Sequence, residues 1–193
     1  MERIRTFIAI TPPPKVTSQV GEILEKLQNQ NSVVRWETPE KAHITLMFLG
    51  DIPQARVEEV AKAVSETANN FPKFFIRTDV VSYFYKDKAG SDSVIFLSIY
   101  DPAKNLRRLH KSLAQHLTVH EFSPSTHFSA HITIGRLKKQ RYPHEQKRIL
   151  SEIADTNIPR GDEFEVTHLN IYESISQGDG HRYHLLRSFD LTG

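Results

Sequence analysis

Two short stretches of this chain carry the side chains best suited to chemistry, and they are copies of one another. Ala42-His43-Ile44-Thr45-Leu46 recurs as Ala130-His131-Ile132-Thr133-Ile134, 88 positions later. On a β-strand, residues i and i+2 share a face. The first copy therefore points His43, Thr45 and Met47 one way and Ala42, Ile44 and Leu46 the other, toward a core. The second sets Ser129, His131, Thr133 and Gly135 opposite Phe128, Ala130, Ile132 and Ile134. A single His-x-Thr means little, because most strand histidines are only hydrogen-bonded or exposed. Two copies with matching apolar flanks mean more. If the strands face each other, two imidazoles and two hydroxyls line one cleft.

That set suits metal-free phosphodiester chemistry. One neutral imidazole takes a proton from the attacking group, and one protonated imidazole gives a proton to the leaving oxygen. Only imidazole, with an unperturbed pKa of about 6.5, supplies both forms near neutrality. The threonine hydroxyls can donate to non-bridging phosphate oxygens, where charge builds in the transition state.

Other chemistries find little support. The chain has no cysteine, which excludes a thiol nucleophile, a disulfide framework, cysteine-ligated zinc and iron–sulfur clusters. No Asp or Glu lies within two residues of His43 or His131, whereas a catalytic metal usually takes three protein ligands. The expectation is no metal and no cofactor. His116 and His120 have the i, i+4 spacing of a helical zinc pair, but Leu117 stands where the glutamate of that motif belongs. His181 and His184 fall on opposite faces of a strand and read as surface residues. Gly-x-Ser-x-Gly, phosphate-loop and dinucleotide fingerprints are missing.

The segments that must position the pair alternate in period. Helical stripes follow prolines: Val16, Val20, Ile23, Leu24 and Leu27 after Pro14; Val57, Val60, Ala61, Val64 and Ala68 after Pro53; Leu106, Leu109, Leu113 and Leu117 after Pro102; Ile149, Leu150 and Ile153 after Pro143. Strand-like runs lie at 4–10, 42–49, 74–81, 94–100, 130–137, 164–172 and 183–191, with Gln177-Gly178-Asp179-Gly180 as a hairpin turn. This predicts an α+β fold of two pseudo-symmetric lobes, each an antiparallel-type sheet with outer helices, around a central cleft. The lobes are expected to form one bilobal domain over residues 1–193.

Net charge is only +2, but residues 104–148 hold ten Lys and Arg against Glu121 and Glu145. That stretch reads either as solvated helix faces or as a phosphate-binding surface. Trp36 reads as core or as a base-stacking platform. Ser125-Thr126-His127 reads as a loop that could border the cleft. Strand alternation puts Arg136 off the His131 face unless Gly135 marks a bulge. No apolar run reaches the length of a signal-peptide core or a spanning helix, so a cytoplasmic, monomeric protein without membrane contact is expected.

The paired motifs resemble the 2H phosphoesterase superfamily, in its RNA 2′,3′-cyclic phosphodiesterase (2′-5′ RNA ligase-like) branch. The resemblance runs through Arg5-Thr6-Phe7-Ile8-Ala9-Ile10, Val34-Arg35-Trp36, Ala42 through Gly50, Phe128 through Arg136, and Tyr172-Glu173-Ser174 with Gly180-His181-Arg182-Tyr183. Ala130 stands where the family commonly has proline, and 82–92 does not follow the pattern. The resemblance implies His43 as proton donor and His131 as proton acceptor, with Thr45, Thr133 and Arg136 holding phosphate. It implies RNA 3′ ends or small cyclic nucleotides as substrates, opened to a 2′-phosphomonoester, with weak 2′-5′ ligation by the same apparatus. The alternatives are a phosphodiesterase for another small diester and a non-catalytic module that binds RNA ends.

Overall fold

The structure is a computed structural model that describes residues 2–28, 33–88, 91–178 and 180–193. In chain order it runs β1 (Arg3–Ile10), α1 (Pro14–Gln28), β2 (Arg35–Trp36), β3 (Ile44–Pro53), α2 (Val57–Asn69), β4 (Phe74–Tyr85), β5 (Ser93–Tyr100), α3 (Asn105–Val119), β6 (His131–Leu137), α4 (Pro143–Ala154), β7 (Glu163–Val166), β8 (His168–Gln177) and β9 (Gly180–Asp190). The four helices are those the apolar stripes predict. Their stripes are buried: Val16, Val20, Ile23, Leu24 and Leu27 on α1, and Leu106, Leu109, Leu113 and Leu117 on α3. Proline opens α1 and α4, where its missing N–H costs nothing. Instead of a side chain at its own N-cap, α3 uses Asp101, whose carboxylate accepts from the N–H groups of Asn105 (3.0 Å) and Leu106 (2.8 Å).

Among the described residues every strand joins one antiparallel sheet in the order β7-β4-β5-β6-β3-β1-β8-β9, with β2 paired to β6. The sheet has two matching halves. From the middle outward, β3 is followed by β1 and β8, and β6 by β5 and β4. The half built on β3 takes β8 and β9 from the end of the chain, with β8 paired to β1, and the half built on β6 takes β2 from near its start. The halves meet where β3 pairs with β6 at Ile44 and Ile132, the equivalent residues of the two copies. One apolar cluster extends through both halves. Helix α2 packs on α3, β8 and β9, and α4 lies against β4.

Some element boundaries differ from expectation. The run at 164–172 is two strands, β7 and β8, separated by Thr167, and they pair at opposite ends of the sheet. Strand β4 continues to Tyr85, beyond the expected 81, because Ser82 to Tyr85 ladder onto Phe96 to Ser93. The hairpin of β8 and β9 forms as expected, with Gln177 opposite Gly180 and Gly178 at φ +49°; Asp179 lies outside the described residues.

Trp36 is a packing residue. It pairs with Gly135, and a Cβ built on Gly135 would sit 2.8 Å from the Trp36 ring and 3.0 Å from Val34 Cγ1. Gly135→Ala is accordingly expected to cost about 1–3 kcal/mol by overpacking, measured by denaturant unfolding.

Candidate active site

The middle of the sheet places the two motifs side by side. Because Ile44 and Ile132 are directly paired, continuing the antiparallel register one residue each way sets His43 toward Thr133 and Thr45 toward His131. Both isoleucines are fully buried, so the residues next to them turn to the open side. A cavity of about 420 Å³ lies there, and its lining includes His43, Thr45, His131 and Thr133.

The imidazoles are held alike. Nδ1 of His43 lies 2.7 Å from the Lys41 carbonyl, and Nδ1 of His131 lies 2.8 Å from the Ser129 carbonyl. A carbonyl can only accept, so Nδ1 carries the proton in each ring and Nε2 is left for chemistry. Aromatic rings flank both. Phe7 and Tyr183 lie 5.2 and 5.1 Å from His43, and Phe84 and Phe96 lie 5.5 and 5.2 Å from His131.

Burial holds the pKa of both histidines below 6.5. The carbonyl hydrogen bonds oppose that shift by favouring the charged ring, whereas Arg136 adds to it at both. At His43, His131 also lowers the pKa and Glu37 raises it. Burial, then Glu37, pushes Tyr183 above its usual value, so its phenol stays protonated as a hydrogen-bond donor.

Arg136 lies in the cavity despite simple alternation. The reason is a bulge: β6 pairs Thr133 with Phe96 and Gly135 with Ile95, which leaves Ile134 as an extra residue. The same thing happens in the first copy. Thr45 pairs with Ala9 and Met47 with Ile8, which leaves Leu46 extra. Met47 therefore does not share the His43 face. It is 2 % exposed in the core, and Phe48, 65 % exposed, takes its place at the cavity. Phe48 and Arg136 are thus equivalent positions, each five residues after its histidine.

Arg5, Arg35, Lys41, Lys86 and Arg136 bring positive charge to the cavity; among the described residues, Glu37 is the acid set against them. Glu37 lies 3.4 Å from Arg136 Nε and 3.8 Å from Lys41 Nζ. Of the ten cations in 104–148, only Arg136 lines this site. Most of the basic stretch therefore lies away from this cavity, on α3, α4 and the chain between β6 and α4. His181 is not a plain surface residue. It and Tyr183 lie on the inward face of β9, line the cavity, and His181 Nδ1 is 3.3 Å from Ser174 Oγ. Alternation from Tyr183 was the available signal. Nothing in the sequence marks Phe84 and Lys86, which reach the cavity because β4 is longer than expected.

Ser125 and His127 border an adjoining groove of about 340 Å³ that shares Thr45, Phe48 and His131 with the main cavity. His116 serves helix packing: its Nδ1 pairs with Thr67 Oγ1 at 2.9 Å. Among the described residues no three His, Asp or Glu side chains are grouped to hold a metal. Among the same residues no helix is long and apolar enough to cross a membrane.

A family model described as the 2'-5' RNA ligase superfamily matches residues 12–178. An RNA 2',3'-cyclic phosphodiesterase of Thermotoga maritima is 31% identical, over 98% of this chain and 97% of that protein. One of Archaeoglobus fulgidus is 28% identical, over 97% and 100%. In fold, E. coli LigT complexed with 3'-AMP superposes with a TM-score of 0.74 at 20% identity, covering 100% of both chains. A Thermus thermophilus protein superposes with a TM-score of 0.75 at 21% identity, covering 98% of this chain and 99% of that one.

Both imidazoles have folded-state pKa values below the roughly 6.5 of an unfolded chain. Between those values the unfolded chain binds more protons. Their contribution to stability is therefore complete above about pH 6.5 and is lost as the pH falls through the folded-state pKa. Chemical unfolding is expected to show a decline as the pH falls below about 6.5 that a His43→Gln, His131→Gln double variant makes shallower.

Proposed function

The chain belongs to the 2'-5' RNA ligase superfamily, and on that premise we propose that it hydrolyses the 2′,3′-cyclic phosphate at an RNA 3′ end to a 2′-phosphomonoester. The observation that carries this reading is the pair of imidazoles with Nδ1 committed to a carbonyl and the ring lining one cationic cavity. The names of the relatives point to the same substrate class.

In the proposed reaction His131 Nε2 takes a proton from water as the oxygen attacks phosphorus. The bond from phosphorus to O3′ breaks on the opposite side, and His43 Nε2 delivers its proton to that oxygen. Thr45, Thr133 and Arg136 meet the charge that grows on the non-bridging oxygens. Which histidine is acid and which is base rests on the family resemblance. Of the charges around the pair, Glu37 favours the charged form of His43, while Arg136 disfavours the charged form of both rings. With a 5′-hydroxyl in place of water, the same two proton transfers yield a 2′-5′ link.

A cyclic-phosphate-ended oligonucleotide incubated in chelator is expected to give the 2′-phosphate. His43→Ala and His131→Ala are each expected to lower kcat by about 10²–10⁴. Undiminished turnover in the double variant, or salt-dependent RNA binding with no turnover at any pH, would overturn the assignment. The profile of kcat/KM against pH reports the free enzyme's acid and base. Since both groups lie below 6.5, a bell centred on the acid side of that value is expected, and a plateau reaching alkaline pH would contradict it.

A further inference from the structure

A cyclic phosphate carries a single negative charge, yet the cavity sets Arg5, Arg35, Lys41, Lys86 and Arg136 against Glu37. Glu37 is itself drawn to Arg136 and Lys41. Lys86 stands apart from that cluster. It is exposed, and among the described residues its side chain forms no ion pair. A cation kept on a cavity wall with no acid against it leaves a field that attracts further negative charge.

The wall that carries Lys86 is anchored. Strands β4 and β5 ladder from Arg77 and Tyr100 out to Tyr85 and Ser93, and the Lys86 N–H then donates to the Asp92 carbonyl at 2.8 Å. Beneath the end of this hairpin lies Gln146 of α4, at 0 % exposure. Its amide nitrogen donates to the Ser91 carbonyl at 2.6 Å and to Ser93 Oγ at 2.8 Å. A buried amide is tolerated when its hydrogen bonds are made, and these two fasten the hairpin to α4. The Asp92 carboxylate accepts from the Lys139 N–H at 2.9 Å. Residues 82–92 are also where the chain departs from the family pattern, so this wall is its own.

The register gives the order along the wall. Val94 pairs with Arg136 on one side and with Phe84 on the other, which puts Phe84 two strands, about 10 Å, from Arg136. The Phe84 ring lies 5.5 Å from His131, and Lys86 follows toward the hairpin end. When a 2′,3′-cyclic phosphate lies at the histidines, the nearest further phosphate of that nucleotide is the one on O5′, a ribose away. The ring of Phe84 offers the intervening sugar an apolar surface.

We infer that Lys86 is a specificity-determining residue that binds the phosphate on O5′ of the terminal nucleotide, so that the site prefers a cyclic end bearing that phosphate to a cyclic mononucleotide with a free 5′-hydroxyl. The phosphate is either the internucleotide diester of an RNA chain or a terminal 5′-monoester. The inference rests on the proposed reaction for the place of the cyclic phosphate.

The test compares kcat/KM for three substrates: a nucleoside 2′,3′-cyclic phosphate with a 5′-hydroxyl, the same compound with a 5′-phosphate, and a dinucleotide ending in the cyclic phosphate. The ratio of a phosphate-bearing substrate to the 5′-hydroxyl compound is expected to exceed one in the native chain and to fall as salt is raised. Lys86→Gln is expected to lower that ratio on the order of fivefold, the scale of an exposed charge pair. Lys88→Gln removes the same charge from the same hairpin outside the cavity and is expected to keep the native ratio. An effect with the dinucleotide identifies the internucleotide diester; one confined to the 5′-phosphorylated mononucleotide identifies the monoester. A native ratio of one or less, an unchanged ratio in Lys86→Gln, or an equal fall in Lys88→Gln would overturn the inference. Dissociation constants for the three matching 2′-phosphomonoesters give the same contrast without turnover. Absent hydrolysis with that contrast present defeats the proposed reaction alone, whereas hydrolysis without the contrast defeats this inference alone.

Discussion

The pairing of Ile44 with Ile132 is the contact on which the site depends. It joins the two halves of the sheet through the equivalent residues of the two copies. A symmetric contact at that point leaves one arrangement for the neighbours. Each histidine faces the threonine of the other strand, and both pairs open on the same side. Neither half has a site by itself. The burial of these two isoleucines, at 0 % exposure each, is what turns two short motifs into one cavity.

The imidazoles are held between opposing influences of similar kind. Removal from water disfavours their charged forms, and a backbone carbonyl on Nδ1 favours them. The carbonyl comes from two residues upstream in both copies, so the device belongs to the repeated unit itself. What differs is the charge around it. Glu37 bears on His43, which also has Tyr183 beside it, while Arg136 acts on both rings. Two similar motifs thereby acquire surroundings that are chemically unlike.

Much of this was open to reading in the sequence. The helices follow from apolar stripes behind prolines. The two histidines and two threonines follow from the repeat and from strand alternation. Met47 was misplaced and Arg136 left undecided because alternation holds only while pairing is unbroken, and each motif strand has an extra residue just after its threonine, Leu46 and Ile134. A bulge forms between two strands, so the sequence of one strand seldom shows it. The basic stretch stayed open between two readings for a different reason. Closeness in sequence along α3 and α4 is not closeness to the cavity, whose other cations come from β1, β2, the turn before β3 and the end of β4.

The sequence by itself determined the two histidine–threonine motifs and their local setting, since periodicity and repetition are properties of residues near one another along the chain. That suffices for His43 with Thr45, for His131 with Thr133, and for the helices that bury their apolar faces. Only the tertiary structure decided what surrounds them. The pairing of β8 with β1, the long β4 that brings Phe84 to His131, and the inward face of β9 with His181 and Tyr183 all join residues far apart in sequence. Such contacts are set by the packing of whole elements against each other, and no local pattern records them.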